Sequence, residues 1–263
     1  MGPPVVHRLE RRLCVFSTPA SQTSALARHI GDRIRAGARA RGAFSLVLSG
    51  GRTPQRLYQL LAQRYRETVP WNAVEIFFGD ERCVPPRNPE SNYGMARDAL
   101  LSQVTVSRRR VHRMPGELRP PSRAAERYAS VIGRLPSSAD PSDARFDLVL
   151  LGVGPDGHTA SLFPGAPALR ERRRSVVAVS RPGQPPFVPR LTMTVAALGS
   201  AREVCFLVSG EEKAAAVAAV LGTSPEGDPQ LPASLVRAVG STTWFLDRAA
   251  ARDLGPPPVG LGT

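Results

Sequence analysis

The chain has 263 residues, enough for one large α/β domain or two small ones. Its 35 Lys and Arg against 22 Asp and Glu leave a formal charge of +13, a field suited to steering a small anion, but the basic residues are not interleaved with aromatics as a nucleic-acid platform requires. No apolar run approaches membrane-spanning length, and Arg8, Glu10, Arg11 and Arg12 interrupt any secretory leader, so a soluble cytoplasmic protein with neither nucleic-acid nor membrane partner is expected.

In chain order, 13–17 reads as a first strand and 21–35 as a helix, with Leu26, Ile30 and Ile34 recurring every four residues on one face. Residues 44–48 form the next apolar run and enter Ser49-Gly50-Gly51-Arg52-Thr53-Pro54, where Thr53 is the expected N-cap and Pro54 the first helical residue. A glycine-rich turn feeding a helix presents free amides and a positive dipole end to an anion, although no G-K-[ST] follows as a nucleotide loop would need. The strand 74–78 ends in Gly79-Asp80-Glu81-Arg82, and Ser91 or Asn92 caps a helix through residue 101. Further on, 111–114 suits a short strand, 122–135 a helix and 136–142 a loop. Arg108 to Arg110 and Arg172 to Arg174 read as solvated loop charges.

The run 146–151 is apolar enough for a strand buried on both faces, and it delivers Gly152-Val153-Gly154-Pro155-Asp156-Gly157-His158 onto a loop at its carboxyl end. Gly152, Gly154 and Gly157 match G-x-G-x-x-G. A dinucleotide site is nevertheless not expected, because Pro164-Gly165 stops any helix and the basic cluster at 170–174 stands where an acidic residue belongs. Strands follow at 175–180, 190–194 and 203–208. Between the first two, 182–189 holds four prolines and must be an extended surface loop or a lid. Ser209-Gly210 leads into a helix over 211–221, whose first turn carries Lys213, the chain's one lysine. A cation is disfavoured there, which points to an anion nearby. A helix over 231–239, a last strand over 242–247 and a disordered Gly/Pro-rich tail over 251–263 complete a single domain over 1–250. Cys14, Cys83 and Cys205 lack metal spacing and read as reduced thiols.

Together, Ser49-Gly50-Gly51-x-Thr53-Pro54, Gly79-Asp80-Glu81-Arg82, Ser91-Asn92, the long motif from Gly152 to Gly165 and Ser209-Gly210-x-x-Lys213 resemble the 6-phosphogluconolactonases. The resemblance implies an open, mostly parallel α/β sheet with helices on both faces, Rossmann-like and similar to glucosamine-6-phosphate deaminases. It implies a carboxylic ester hydrolase of the oxidative pentose phosphate pathway that opens a phosphosugar lactone without metal or cofactor. The deaminases typically carry Asp-Glu-Tyr where this chain has Asp80-Glu81-Arg82, and an Asn-Glu-Pro segment after the histidine that is missing here. A deaminase-like enzyme and a non-catalytic sugar-phosphate sensor remain the alternatives.

In the lactonase reading, His158 moves the proton and Asp156 orients the imidazole or lies behind it. Ser49, Gly50, Gly51, Asp80, Arg82, Arg190 and Lys213 bind substrate and its phosphate, and amides around Gly152 to Gly154 face the oxyanion. His7, His29 and His112 are structural or surface residues. Oligomeric state is open between monomer and weak dimer.

Overall fold

The computed structural model describes residues 10–135 and 145–255. His7, the loop expected over 136–142 and tail residues 256–263 lie outside that range.

Strand β1 (Glu10–Phe16) leads to helix α1 (Pro19–Arg41). The helix starts earlier than its apolar period indicates because Thr18 and Ser21 form a reciprocal capping box and Pro19 supplies a preset φ. It runs on to Gly42, whose φ of 74° ends it. Leu26, Ile30 and Ile34 are buried as their spacing requires. Then come β2 (Phe44–Leu48), α2 (Arg52–Arg64), β3 (Val74–Phe78), β4 (Asp80–Arg82), α3 (Asn92–Ala96) and α4 (Pro121–Ile132). The second half comprises β5 (Phe146–Leu151), β6 (Val176–Val179), β7 (Arg190–Met193), α5 (Val195–Gly199), β8 (Ala201–Val208), α6 (Ala214–Leu221) and β9 (Ser241–Asp247).

Six strands form one parallel sheet in the order β1-β9-β8-β5-β2-β3. Consecutive residues of β2, β5 and β8 are buried, and consecutive side chains point to opposite faces, so both faces of the sheet are covered. From β2 the chain first steps outward to β3 and later returns to β5 on the other side of β2. Their carboxyl ends therefore flank a topological switch point, where open α/β sheets bind ligands. A smaller antiparallel sheet, β4-β7-β6, takes the chain straight from β3 through Gly79, whose N–H donates to the Leu48 carbonyl at 2.9 Å.

Several expectations change. Gly51, with φ 109°, is the N-cap of α2 in place of Thr53, and Pro54 is its third residue. No side chain caps this helix, because the turn is made by a backbone conformation that glycine alone adopts freely. Residues 231–239 make only a single 3₁₀ turn, Pro232–Leu235. The Val239 N–H is drawn off to the Gly199 and Ala201 carbonyls, and this extended pairing leads into β9. Residues 211–213 are likewise 3₁₀ before α6 begins. At 111–114 a single bridge, Val111 to Ile76, replaces a strand. Arg110 is not a free loop charge, since it pairs with Glu75 at 2.7 Å, and Arg174 pairs with Glu171 at 2.6 Å. Residues 251–254 turn back on the core, with the Ala251 N–H on the Asp247 carbonyl at 3.1 Å. Cys83 and Cys205 are buried free thiols, and Cys14 is half-buried. No helix among the described residues is long and apolar enough to cross a membrane.

Two buried polar side chains tie strand ends in place. Gln22 of α1 donates to the Val208 and Phe245 carbonyls, both at 2.7 Å, and accepts from Ser209 Oγ at 2.5 Å. The Tyr58 hydroxyl accepts from the Ser49 N–H at 3.0 Å and donates to the Ser49 carbonyl at 2.8 Å. Tyr58→Phe strands both backbone groups in a buried site. It should lower unfolding free energy by about 2 kcal/mol, read as a lower urea midpoint with an unchanged slope.

Candidate active site

Four loops from the carboxyl ends of β2, β3, β5 and β8, with β7 behind them, enclose a cleft of about 220 Å³. Its lining includes Ser49, Gly50, Gly51, Asp80, Arg82, Gly154, His158, Arg190 and Lys213, so the structure brings together every site residue expected from sequence except Asp156, which stands directly behind His158. A connected lobe runs between Gly50, Gly51, Arg52, Ser209 and Lys213. A larger hollow of about 540 Å³ lies at the opposite ends of the strands, around Phe44, Glu75 and Phe146. It contains none of the expected residues, and its carboxylates Asp147 and Glu75 are already paired with Arg41 and Arg110.

His158 Nδ1 lies 2.5 Å from Asp156 Oδ1. That oxygen also accepts the His158 backbone N–H at 3.3 Å, while Oδ2 accepts from Gln184 Nε2 at 3.3 Å. Partial burial opposes charge on Asp156, but the imidazole and these donors outweigh it and hold the carboxyl below its usual range. With Nδ1 engaged, Nε2 is the ring atom left for chemistry. The ring is 20% exposed and leans on Phe163, with centroids 4.9 Å apart.

The loop is tight enough that Gly154 is required: a Cβ there would sit 2.0 Å from His158 Nδ1 and 2.7 Å from Asp156 Oδ1. The expectation for Gly154 itself needs correction. Its N–H donates to the His158 carbonyl at 2.8 Å and cannot face an oxyanion, so this residue serves the site by leaving room. Beyond the histidine, Thr159 Oγ1 donates to the Gly152 carbonyl at 2.8 Å. Ala160 sits at φ 49°, rare for a residue with a side chain, and Ser161 Oγ reaches Asp80 Oδ2 at 2.6 Å.

Asp80 and Glu81 do not form the ion pair with Arg82 that their adjacency allows. Asp80 holds Asn92 Nδ2 at 3.0 Å as well as Ser161, so its carboxylate organises the wall of the cleft. Asn92 Oδ1 in turn accepts from Arg82 Nη1 at 2.7 Å. Glu81 gathers the N–H groups of Arg82, Asn92 and Tyr93 and the Ser91 hydroxyl, between 2.7 and 2.9 Å. Burial still pushes its carboxyl up, with those donors opposing. Asn92, Ser161 and Glu81 are site residues that sequence reasoning missed, and the polar Ser91-Asn92 pair at a helix start was the available signal. Gly50 is pressed against this network, since a Cβ there would lie 1.9 Å from Asn92 Oδ1.

The cationic side is built from three elements. Arg190 is 4% exposed, donates to the Gln184 and Pro186 carbonyls at 3.1 and 3.0 Å, and lies over Phe163 at 5.9 Å. Its Nε, like that of Arg82 and like Ser49 Oγ, is buried without a partner. Burial lowers the Lys213 pKa, with Glu212 and Asp156 opposing, and Lys213 makes no ion pair among the described residues. The uncapped start of α2 adds further free N–H groups at Gly51, Arg52 and Thr53. Such a set of unpaired donors around one cleft is suited to a multiply charged anion.

The other histidines are occupied elsewhere: His29 Nε2 lies 2.8 Å from Glu203, and His112 Nε2 2.6 Å from Glu75. His29 of α1 and Glu203 and Cys205 of β8 form a ligand-like cluster, but Arg33 already pairs with Glu203 at 3.0 Å.

Residues 17–244 match the family model of glucosamine-6-phosphate isomerases/6-phosphogluconolactonase. A 6-phosphogluconolactonase from Homo sapiens is 41% identical over 251 residues, spanning 93% of this chain and 94% of that protein. One from Synechocystis sp. is 40% identical over 217 residues, spanning 82% and 87%. Among solved structures, 6-phosphogluconolactonase from Trypanosoma cruzi superposes with a TM-score of 0.82 at 32% identity, covering 94% of this chain and 97% of that one. A monomeric glucosamine-6-phosphate deaminase shares the fold, with a TM-score of 0.77 at 22% identity over 92% and 99% of the two chains. With the matched segment spanning nearly all of the α/β domain and its loops, the chain belongs to the glucosamine-6-phosphate isomerase/6-phosphogluconolactonase family.

Proposed function

We propose that this chain hydrolyses 6-phosphogluconolactone to 6-phosphogluconate, with His158 as the proton carrier and the cationic wall as the phosphate anchor. The observation that carries the reading is the meeting, in one small cleft, of a carboxylate-backed imidazole with two guanidinium groups that have no carboxylate ion pair among the described residues, an ammonium and free helix-start amides. A deaminase relay has no support here, because no acidic residue follows His158 before Glu171.

The chemistry follows from those groups. His158 Nε2 takes a proton from a water as that water's oxygen bonds to the lactone carbonyl carbon, giving a tetrahedral oxyanion. Collapse breaks the bond from that carbon to the ring oxygen, and the imidazolium returns the same proton to the departing oxygen. Asp156 fixes the tautomer that leaves Nε2 free and offsets the transient positive ring. Gly50, Gly51 and the start of α2, with Lys213, Arg190 and Arg82, hold the remote phosphate, and binding energy there places the carbonyl against the water. Ser49 and Asp80 shape the same wall. This division of labour needs no bound cofactor in the proposed steps.

Replacing His158 by Ala should lower kcat by at least ~100-fold after subtraction of spontaneous hydrolysis. Turnover near wild type in a pH-stat assay would remove the imidazole from its role. Asp156→Asn withdraws the carboxylate that fixes the ring and offsets its transient positive charge, so kcat should fall by roughly 10- to 100-fold with KM little changed. A wild-type kcat in this variant would count against the pair. Lys213→Ala and Gly50→Ala should instead raise KM by about 10-fold or more with smaller losses in kcat, the first by removing a charge and the second by driving Asn92 away from Arg82. Unchanged KM in both would sink the anchor assignment.

A further inference from the structure

We propose that Gln184, on the proline-rich loop 182–189, is a positioning residue that fixes the Asp156 carboxylate, and through it the His158 ring, while its backbone carbonyl separately braces Arg190. The proposal rests on the lactonase reading and adds a role for a segment outside the motifs that carry it.

The two oxygens of Asp156 have different partners. Oδ1 serves His158 twice, and Oδ2 meets only Gln184 Nε2 among the described residues. A carboxylate bonded through one oxygen alone can swing about its last torsion and carry the imidazole with it. A donor on the second oxygen removes that freedom. An ionised carboxylate only accepts, so the glutamine must turn its NH₂ group toward Asp156. From the same residue the main-chain carbonyl accepts Arg190 Nη2 at 3.1 Å. Gln184 thus touches both the proton-transfer side and the anion side of the cleft, by chemically separable groups.

The loop is built to hold this position. Pro182, Pro185, Pro186 and Pro189 restrict φ along it, and the Pro189 carbonyl is rooted on the Cys83 N–H at 2.8 Å. Gly183 lies flat against Phe163, where a Cβ would come within 3.1 Å of the ring. The same ring supports His158 on one part and Arg190 on another, so the loop, the imidazole and the guanidinium share one apolar floor. The charged groups around the pair are Lys213 from the 211–213 turn, Arg190 from β7, and Asp80 and Arg82 from β4. None of them occupies Asp156 Oδ2.

Steady-state kinetics on the full chain separate the two contacts. Gln184→Ala and Gln184→Glu both keep the backbone carbonyl that braces Arg190, so KM should stay within about 2-fold of wild type while kcat falls by about 5- to 20-fold. In Gln184→Glu an acceptor faces an acceptor, so the Asp156 carboxylate is repelled and not merely released, and kcat should fall further than in Gln184→Ala with KM again little changed. Wild-type kcat in both variants overturns the proposal. So does a parallel change of KM and kcat, which is the signature of a displaced loop. If His158→Ala is itself silent, the lactonase reading fails; if it is inactive and the Gln184 variants are silent, only the present proposal fails.

Discussion

Every strand of the main sheet points the same way, and this constraint decides where the molecule can do chemistry. Parallel alignment gathers the carboxyl ends of β2, β5 and β8 on one edge, and the change of direction between β2 and β5 opens a crevice among them. The imidazole arrives from β5, the glycine turn from β2, and the lysine from beyond β8. None of these residues is near another in sequence, and the fold needs no special device to bring them together. The antiparallel β4-β7-β6 sheet then closes the remaining side with Arg82 and Arg190, and it draws the proline-rich loop into contact with Asp156.

Within that crevice, absence of side chains matters as much as their presence. Gly50 and Gly154 each occupy space in which a methyl group would collide with a functional atom, Asn92 Oδ1 in one case and His158 Nδ1 in the other. The glycines thus set the closeness of the polar groups, and closeness sets their electrostatics. Asp156 stays charged despite its burial because the ring and its companion donors lie within bonding distance. Arg190 and Lys213 lose solvation without gaining carboxylate partners, which leaves their charge directed at whatever enters the cleft.

Much of this was legible in the residues. Apolar runs ending in glycine and a polar residue marked β2, β3 and β5 together with their functional ends, and the one lysine at a helix start stood out electrostatically. What was hidden depended on contacts between distant segments. The helix expected over 231–239 had adequate local pattern but its Val239 N–H goes to the Gly199 carbonyl and to Ala201 at the start of β8. The Gly154 amide looked available until the loop closed on the His158 carbonyl. Adjacent charges at 80–82 do not pair with one another, because each finds its partner from 90–92 or from Ser161 across the cleft. Capping of α2 was misplaced by two residues because Thr53-Pro54 is a strong local signal and Gly51's unusual backbone conformation is invisible in a sequence.

Ala160 has one more consequence. A left-handed alanine costs on the order of 1 kcal/mol, and here it lies between Thr159, tethered to Gly152, and Ser161, tethered to Asp80. The two tethers keep the segment wound against its own preference, like a spring pinned at both ends. Whatever loosens either pin lets the backbone after His158 unwind toward ordinary geometry, so the sharpness of the imidazole's placement is inherited from two hydroxyl groups bonded to the Gly152 carbonyl and the Asp80 carboxylate.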